Sequence, residues 1–295
     1  MAKMKRSYKK RESEKNVAIG YYAILYMDVL NQSEKLSKVD RLPETDEGRE
    51  SFITLLKDTY GVIDGFERLF ESYLSQTRSR TAPSNIPKAY RETFKRVVGG
   101  AIGKTLLSDS MLYYVSLNEG KGAVPTIRIL DLMYAASAVI GGGLAAGHPS
   151  RGGFDVGIAA TLPRVGIYGH GLCKAYALES QAAQYPRIAI GSELLDYLSA
   201  SSRNPNQNQE SDLTRVFAKR CLSLVYVDTD GVPALDFAGK AIRELYPDWK
   251  NVISEAVVYA KSELERFKKE ANDKLASRYS RLMNYLIDRE KRYWT

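Results

Sequence analysis

Asp28 and Asp109 are the residues of this sequence whose type and setting suit a reaction. Asp28 closes an apolar run, in Tyr26-Met27-Asp28-Val29-Leu30, and Asp109 sits between Ser108 and Ser110 at a turn. Two carboxylates from distant segments supply the oxygen ligands that hard divalent cations prefer, with water and a phosphate-bearing substrate filling the remaining positions. An aspartate at a strand end also serves as a helix cap or turn residue. The pair alone leaves both readings open. Other tempting groups point to no chemistry. His148 and His170 lie in different elements, without a serine or cysteine arrangement for nucleophilic attack. Gly141-Gly142-Gly143 lacks the Lys-Ser/Thr of a phosphate loop and is expected to be a helix stop or a close packing contact. Asp228-Thr229-Asp230-Gly231 lacks the closing glutamate of a calcium loop and is expected to be a turn.

The elements that must position the two aspartates follow from pattern. Residues 17–27 are β-branched and aromatic, predicting a buried central strand that ends at Asp28. Residues 101–107 and 110–117 predict a hairpin whose tip is Ser108-Asp109-Ser110. Between them, residues 48–77 place Phe52, Leu55, Leu56, Tyr60, Ile63, Phe66 and Phe70 at helical spacing, predicting an amphipathic helix broken near Gly61. Thr81 to Lys88 reads as a loop. Ile127 to Ala146 predicts a second helix, Gly153 to Ala160 a strand, Leu172 to Tyr185 a helix, and Arg187 to Ile190 a short strand. Ser202 to Ser211 is a polar loop, and Leu222 to Val227 a strand. From Asp236 onward the charged helical pattern predicts a helical hairpin. Strand, helix, strand hairpin, helix, strand is an α+β order of the ferredoxin-like kind, in which the strands ending at Asp28 and Asp109 are neighbours. The chain divides on this basis into a basic segment 1–16, a main domain 17–235 and a helical extension 236–295.

Composition bounds the function. With 295 residues, 44% hydrophobic and 26% charged, the chain is globular in type. The 43 basic against 35 acidic side chains give a net charge of +8, which suits a polyanionic partner. Much of this charge lies in Lys3 to Lys15 and Lys261 to Arg292, where solvated helix faces also account for it, and no zinc-finger, RRM or KH spacing favours nucleic acid. Cys173 and Cys221 are too few for a disulfide framework. Basic residues ahead of Val17–Met27 mimic a secretion signal, but Glu12 and Glu14 interrupt them and no small-residue cleavage site follows. Ala135–Ala146 is too short to span a bilayer. These features predict a cytoplasmic protein without a membrane span.

From about Val17 to Leu198 the chain resembles the class III nucleotidyl cyclase catalytic domain. Ile24-Leu25-Tyr26-Met27-Asp28-Val29 is similar to the first metal-binding strand of that family, and Leu106-Leu107-Ser108-Asp109-Ser110-Met111 to its second metal-binding hairpin. Arg151-Gly152-Gly153-Phe154-Asp155-Val156-Gly157 is similar to the strand after its middle helix. Gly169-His170-Gly171-Leu172-Cys173-Lys174-Ala175-Tyr176-Ala177-Leu178-Glu179 resembles its G-x-x-V-N-x-A-x-R-L-E helix. The Ser-Asp-Ser hairpin, the Arg-Gly-Gly strand and Ala175 to Glu179 followed by Tyr185-Pro186-Arg187-Ile188 most resemble the Pycsar antiphage pyrimidine cyclases. The resemblance implies a ferredoxin-like class III cyclase core with an appended C-terminal helical hairpin. It implies that Asp28, Asp109 and the backbone carbonyl of Val29 hold two divalent ions, Mg²⁺ or Mn²⁺, that activate the ribose 3′-hydroxyl and bind the triphosphate. It further implies a head-to-tail homodimer, and a separately encoded effector that responds to the cyclic nucleotide.

The sequence departs from the family at informative places. Cys173 and Ala177 stand where a transition-state asparagine and arginine are usual, and one lost donor of that kind costs about 3–4 kcal/mol. Arg151 is the preferred substitute, with Lys174 and Arg187 as other candidates. Purine-reading positions carry Thr105 and Gly166 in place of lysine and aspartate, which argues against adenine and favours a pyrimidine, UTP ahead of CTP. Tyr60 is a candidate wall for a shortened base pocket, though core packing explains it as well. The expected activity is a uridylate cyclase making 3′,5′-cyclic UMP in antiphage signalling. The alternatives are a cytidylate cyclase, or a degenerate homologue that binds nucleotide or a partner protein without turnover.

Overall fold

A computed structural model describes residues 17–30, 32, 36–37, 39–80, 86–98, 101–118 and 124–294. The basic segment 1–16 and residues 81–85 of the predicted loop lie outside these residues. Strand β1 (Ala18–Val29) is central because both of its faces are apolar. Ala23, Leu25, Met27 and Val29 enter the large core, while Tyr22 and Ile24 enter a smaller cluster on the opposite face. Helix α1 (Asp46–Arg80) and α2 (Arg91–Val97) lead to the hairpin of β2 (Gly103–Leu107) and β3 (Ser110–Ser116). Helix α3 (Pro125–Ala145) then delivers β4 (Ser150–Leu162). The order β2-β3-β1-β4, antiparallel throughout, is the ferredoxin-like arrangement that the pattern predicts.

Helix α1 differs from expectation in running unbroken through Gly61. A glycine inside a helix costs about 1 kcal/mol. Buried Thr59, Ile63, Phe66, Phe70 and Leu74 hold the helix on the sheet, and Phe70 stacks on Tyr113 at 3.8 Å between centroids. Burial outweighs propensity. Helix α3 is apolar on all sides because it is a core helix, with 94% of its most apolar stretch buried. Gly141 to Gly143 lie within it and do not stop it. A Cβ on Gly143 would come within 2.6 Å of the Phe66 ring and 2.7 Å of the His148 carbonyl, so this residue is a packing contact between α3 and α1. The stop is Gly147, at φ +76°.

Beyond β4 the sheet extends on one side. Strand β5 (Gly166–Tyr168) pairs with the far end of β4, followed by α4 (His170–Ala177) and a π-turn at Leu178–Ala182. Strand β6 (Ile188–Ile190) runs parallel to β4 and is joined by the hairpin of β7 (Val225–Val227) and β8 (Pro233–Leu235). Helices α5 (Ser192–Ser202) and α6 (Gln209–Leu222) lie between β6 and β7. They flank the predicted polar loop, and neither is foreseen from the pattern. The expected C-terminal hairpin is present as α8 (Lys250–Lys269) and α9 (Asp273–Arg289), preceded by the short α7 (Lys240–Leu245). Its buried side chains, from Ile253 through Leu286 to Trp294, belong to the same core as Leu25 and Phe70.

Candidate active site

The register of the sheet sets the site. Asp28, at the end of β1, pairs with Ser110 of β3 on one side and with Arg151 of β4 on the other. Alternation along β1 puts its side chain on the face that carries Tyr26, Ile24 and α4. The Ser110 hydroxyl donates to Asp28 Oδ1 at 3.1 Å and lies 2.7 Å from the Tyr26 hydroxyl. Asp109 occupies the hairpin tip, and its carbonyl accepts the Val29 N–H at 3.2 Å. Ser108, at φ 54°, makes the tight turn that brings Asp109 back beside Asp28. The two sequence-predicted aspartates therefore meet.

Their proximity has an electrostatic consequence. Burial first, then the Asp109 and Glu179 carboxylates, push Asp28 up to about 6, against the opposing Ser110 hydrogen bond and Arg151 charge. A half-buried carboxylate held so reluctantly as an anion is one that a divalent cation would stabilise. Asp28 and Asp109, with the Val29 carbonyl as a further ligand, would offer an all-oxygen donor set of the kind that fits Mg²⁺ or Mn²⁺. Among the described residues no group of three His, Cys, Asp or Glu side chains forms a ready cage, so the remaining ligands would have to be water and substrate.

Of the three candidate cations only Arg151 faces Asp28. It is ion-paired through Nε to Glu179, itself 2% exposed. Burial raises the Glu179 pKa, and Arg151 counteracts the rise. Lys174 is held by Glu193 and by Asp155 at 3.4 Å. Arg187 is buried and spent on Asp228 at 2.6 Å and Asp230 at 2.7 Å, which corrects its candidacy: it is a structural clamp on the β7–β8 turn. The Asp228–Gly231 segment is thus the expected turn, with a role in holding Arg187. Cys173 is exposed. Ala177 lines a cavity of about 750 Å³ together with Lys174, Leu178, Gln181, Asp230 and Arg281.

Thr105 and Gly166 are far apart in the chain and adjacent in the fold. Gly166 has φ +89°, and a Cβ there would overlap Thr105 Oγ1. Ile167 packs with Ile24 and Leu112, so the tip of the β4–β5 hairpin folds back over the face that bears Asp28. Thr105 Oγ1 is buried there without a hydrogen-bond partner. Tyr60 departs from expectation. It is 67% exposed on α1, whose buried side chains pack on the opposite face of the sheet, so it is not a core aromatic. What pattern reading missed is the support beneath Asp28, namely Tyr26, Ser110 and the buried Glu179. The alternation of β1 and the two serines flanking Asp109 were the available signals.

No family model matches the chain, and no curated protein matches it. Two solved structures of a bacterial light-regulated adenylyl cyclase align with it at 11% identity. One has a TM-score of 0.36 and covers 87% of this chain and 66% of its own; the other has a TM-score of 0.35 and covers 81% of this chain and 99% of its own. So distant a likeness settles neither activity nor substrate.

Proposed function

We propose that the protein is a class III-type nucleotidyl cyclase that converts UTP to 3′,5′-cyclic UMP and pyrophosphate. The observation that carries this reading is the approach of Asp109, in the β2–β3 turn, to Asp28 at the end of β1, with Arg151 directly opposite Asp28 on β4. Divalent ions bound at Asp28, Asp109 and the Val29 carbonyl would supply Lewis acidity toward the ribose 3′-hydroxyl and the triphosphate. The residues of the chain do the rest. Ser110, braced by Tyr26, fixes the Asp28 carboxylate in one orientation. Glu179 holds Arg151 beside it, where a positive charge would offset the negative charge on the phosphoryl and leaving oxygens during in-line attack.

Pyrimidine choice rests on Thr105 and Gly166. A small hydroxyl without a partner, pressed against a residue lacking a side chain, offers no lysine–aspartate pair for adenine. Exposed Leu107, Tyr168 and Tyr176 around this face support a homodimer in which a second copy completes the site. In an antiphage setting the cyclic nucleotide would act on a separately encoded effector. Purified protein incubated with each of the four nucleoside triphosphates and Mn²⁺ should give cyclic UMP from UTP as the main product, and Asp109→Ala should give none. The absence of any cyclic product from all four would overturn the proposal. A second reading, nucleotide binding without turnover, is favoured by Ala177 and Cys173. It predicts saturable binding of UTP with no product.

A further inference from the structure

Glu179, the partner of Arg151, does not sit on a regular helix. It lies in the π-turn Leu178–Ala182, which the Ala183 N–H closes on the Leu178 carbonyl at 2.8 Å. Such turns are rare and concentrate at functional sites. The last carbonyls of a helix must find donors outside it. Here the Ala182 carbonyl accepts Arg187 Nη2 at 2.7 Å as well as the Gln184 N–H at 2.8 Å. The backbone of Arg187 reaches the neighbouring strand, where its carbonyl accepts the N–H of Gly152, the residue after Arg151, at 2.9 Å. A Cβ on Gly153 would come within 2.1 Å of the Ala175 carbonyl and 2.8 Å of the Glu179 nitrogen, so strand and turn lie in direct contact. Arg187 thus touches both the strand that carries Arg151 and the turn that carries Glu179. Its guanidinium is fixed from the far side by Asp228 at 2.6 Å and by two bonds to Asp230, at 3.0 and 2.7 Å. A two-point pairing of this kind sets orientation as well as charge. Arg281 of α9 holds Asp230 in turn, at 3.2 Å.

We propose that Arg187 is a positioning residue for Arg151. The β7–β8 turn fixes the Arg187 guanidinium, the guanidinium fixes the π-turn, and the π-turn presents Glu179 to Arg151 Nε. Through Asp230 and Arg281 the C-terminal hairpin is joined to the same support. The inference rests on the cyclase reading for what Arg151 does to a phosphate, but the placement of Arg151 has its own readout.

The Arg151 Nε–H, paired with a buried carboxylate, should exchange slowly enough to give a resolved nitrogen–proton resonance in the full chain, identified by its loss in Arg151→Lys. Arg187→Lys keeps a positive charge between Asp228 and Asp230, but an ammonium cannot also hold the Ala182 carbonyl with a fork. It should shift the Arg151 resonance and speed its proton exchange by about tenfold. It should also lower kcat for UTP by about tenfold to a hundredfold with KM little changed, the signature of a misplaced transition-state group. Asp230→Asn, which loosens the same guanidinium from the other side, should move both readouts in the same direction and serves if Arg187→Lys folds poorly. Arg289→Lys, which weakens a pair with Asp236 at 2.8 Å, should lower the melting temperature and leave both readouts unchanged. An Arg151 resonance in Arg187→Lys and Asp230→Asn identical to wild type, or the same change in Arg289→Lys, would overturn the proposal. An altered resonance with undiminished kcat would overturn it too, while leaving the cyclase reading in place. An altered resonance in a protein whose wild type cyclises no nucleotide would uphold the support of Arg151 and remove the cyclase reading.

Discussion

The Asp28 carboxyl is the residue on which chemistry and stability pull in opposite directions. Burial and Asp109 raise its folded pKa to about 6, above the ordinary value of 3.8, so the folded chain binds this proton more tightly than the unfolded chain. The sign follows. In the metal-free protein the stabilising effect of protonation is complete below about pH 4 and is lost as pH rises through about 6, a difference on the order of 2 kcal/mol. Denaturant midpoints of metal-free wild type should therefore fall between pH 4 and 6.5, and Asp28→Asn should remove much of that slope. An unchanged slope in the variant would show that another group carries it. Arg187 is the complementary case, a buried cation with its carboxylates in place. Arg187→Ala leaves Asp228 without its cation and Asp230 with Arg281 alone, and should cost about 3–5 kcal/mol in equilibrium unfolding.

At the scale of elements, the helices α1 and α3 explain why pattern alone succeeded in some places and not in others. The β1 strand and the β2–β3 hairpin are legible because an apolar run closed by an aspartate, and a turn of Ser-Asp-Ser, each have one dominant reading. Glycines are less legible, since their role depends on what lies opposite. Gly61 faces open space and does not break α1, whereas Gly143 lies against Phe66 and the His148 backbone. Gly61→Ala should accordingly stabilise the protein by about 0.5–1 kcal/mol. Gly143→Ala should destabilise it by about 1–3 kcal/mol through overpacking, since the His148 backbone cannot yield as a flexible side chain would. Thermal melts of the two variants that shift in the same direction would contradict this assignment. Tyr60 shows the limit of periodicity. Its spacing matches the buried stripe, yet it falls at the edge of that stripe and is exposed. Helices α5 and α6 escaped notice because Ser192–Ser202 is rich in serine and Gln209–Leu222 in charge, which weakens the apolar signal.

The whole molecule is organised by one core that takes in both ends of the described chain. Trp294 is 1% exposed and its indole donates to the Ala238 carbonyl at 2.7 Å, while Arg289 holds Asp236 at 2.8 Å. A chain ending at residue 235 would expose the surface that Ile253, Leu282, Leu286 and Trp294 now cover. It should be recovered as aggregate, and a soluble, cooperatively melting truncation would contradict that. The charged pattern of the tail signals helices that pack on the main domain or extend a dimer, but not that their apolar stripe completes the core that β1 and α1 share. The convergence of Thr105 with Gly166 follows from the family resemblance and not from pattern, because it depends on a hairpin folding back over the sheet. The central claim is that Asp28 and Asp109 share divalent ions beneath a triphosphate. Its most direct measurement is Mn²⁺ binding by calorimetry, in the presence of a non-cyclisable UTP analogue. Wild type should bind Mn²⁺ saturably, with Asp28→Asn and Asp109→Asn each weakening it by about tenfold or more. Wild-type affinity in both variants would place the metal elsewhere and contradict the account.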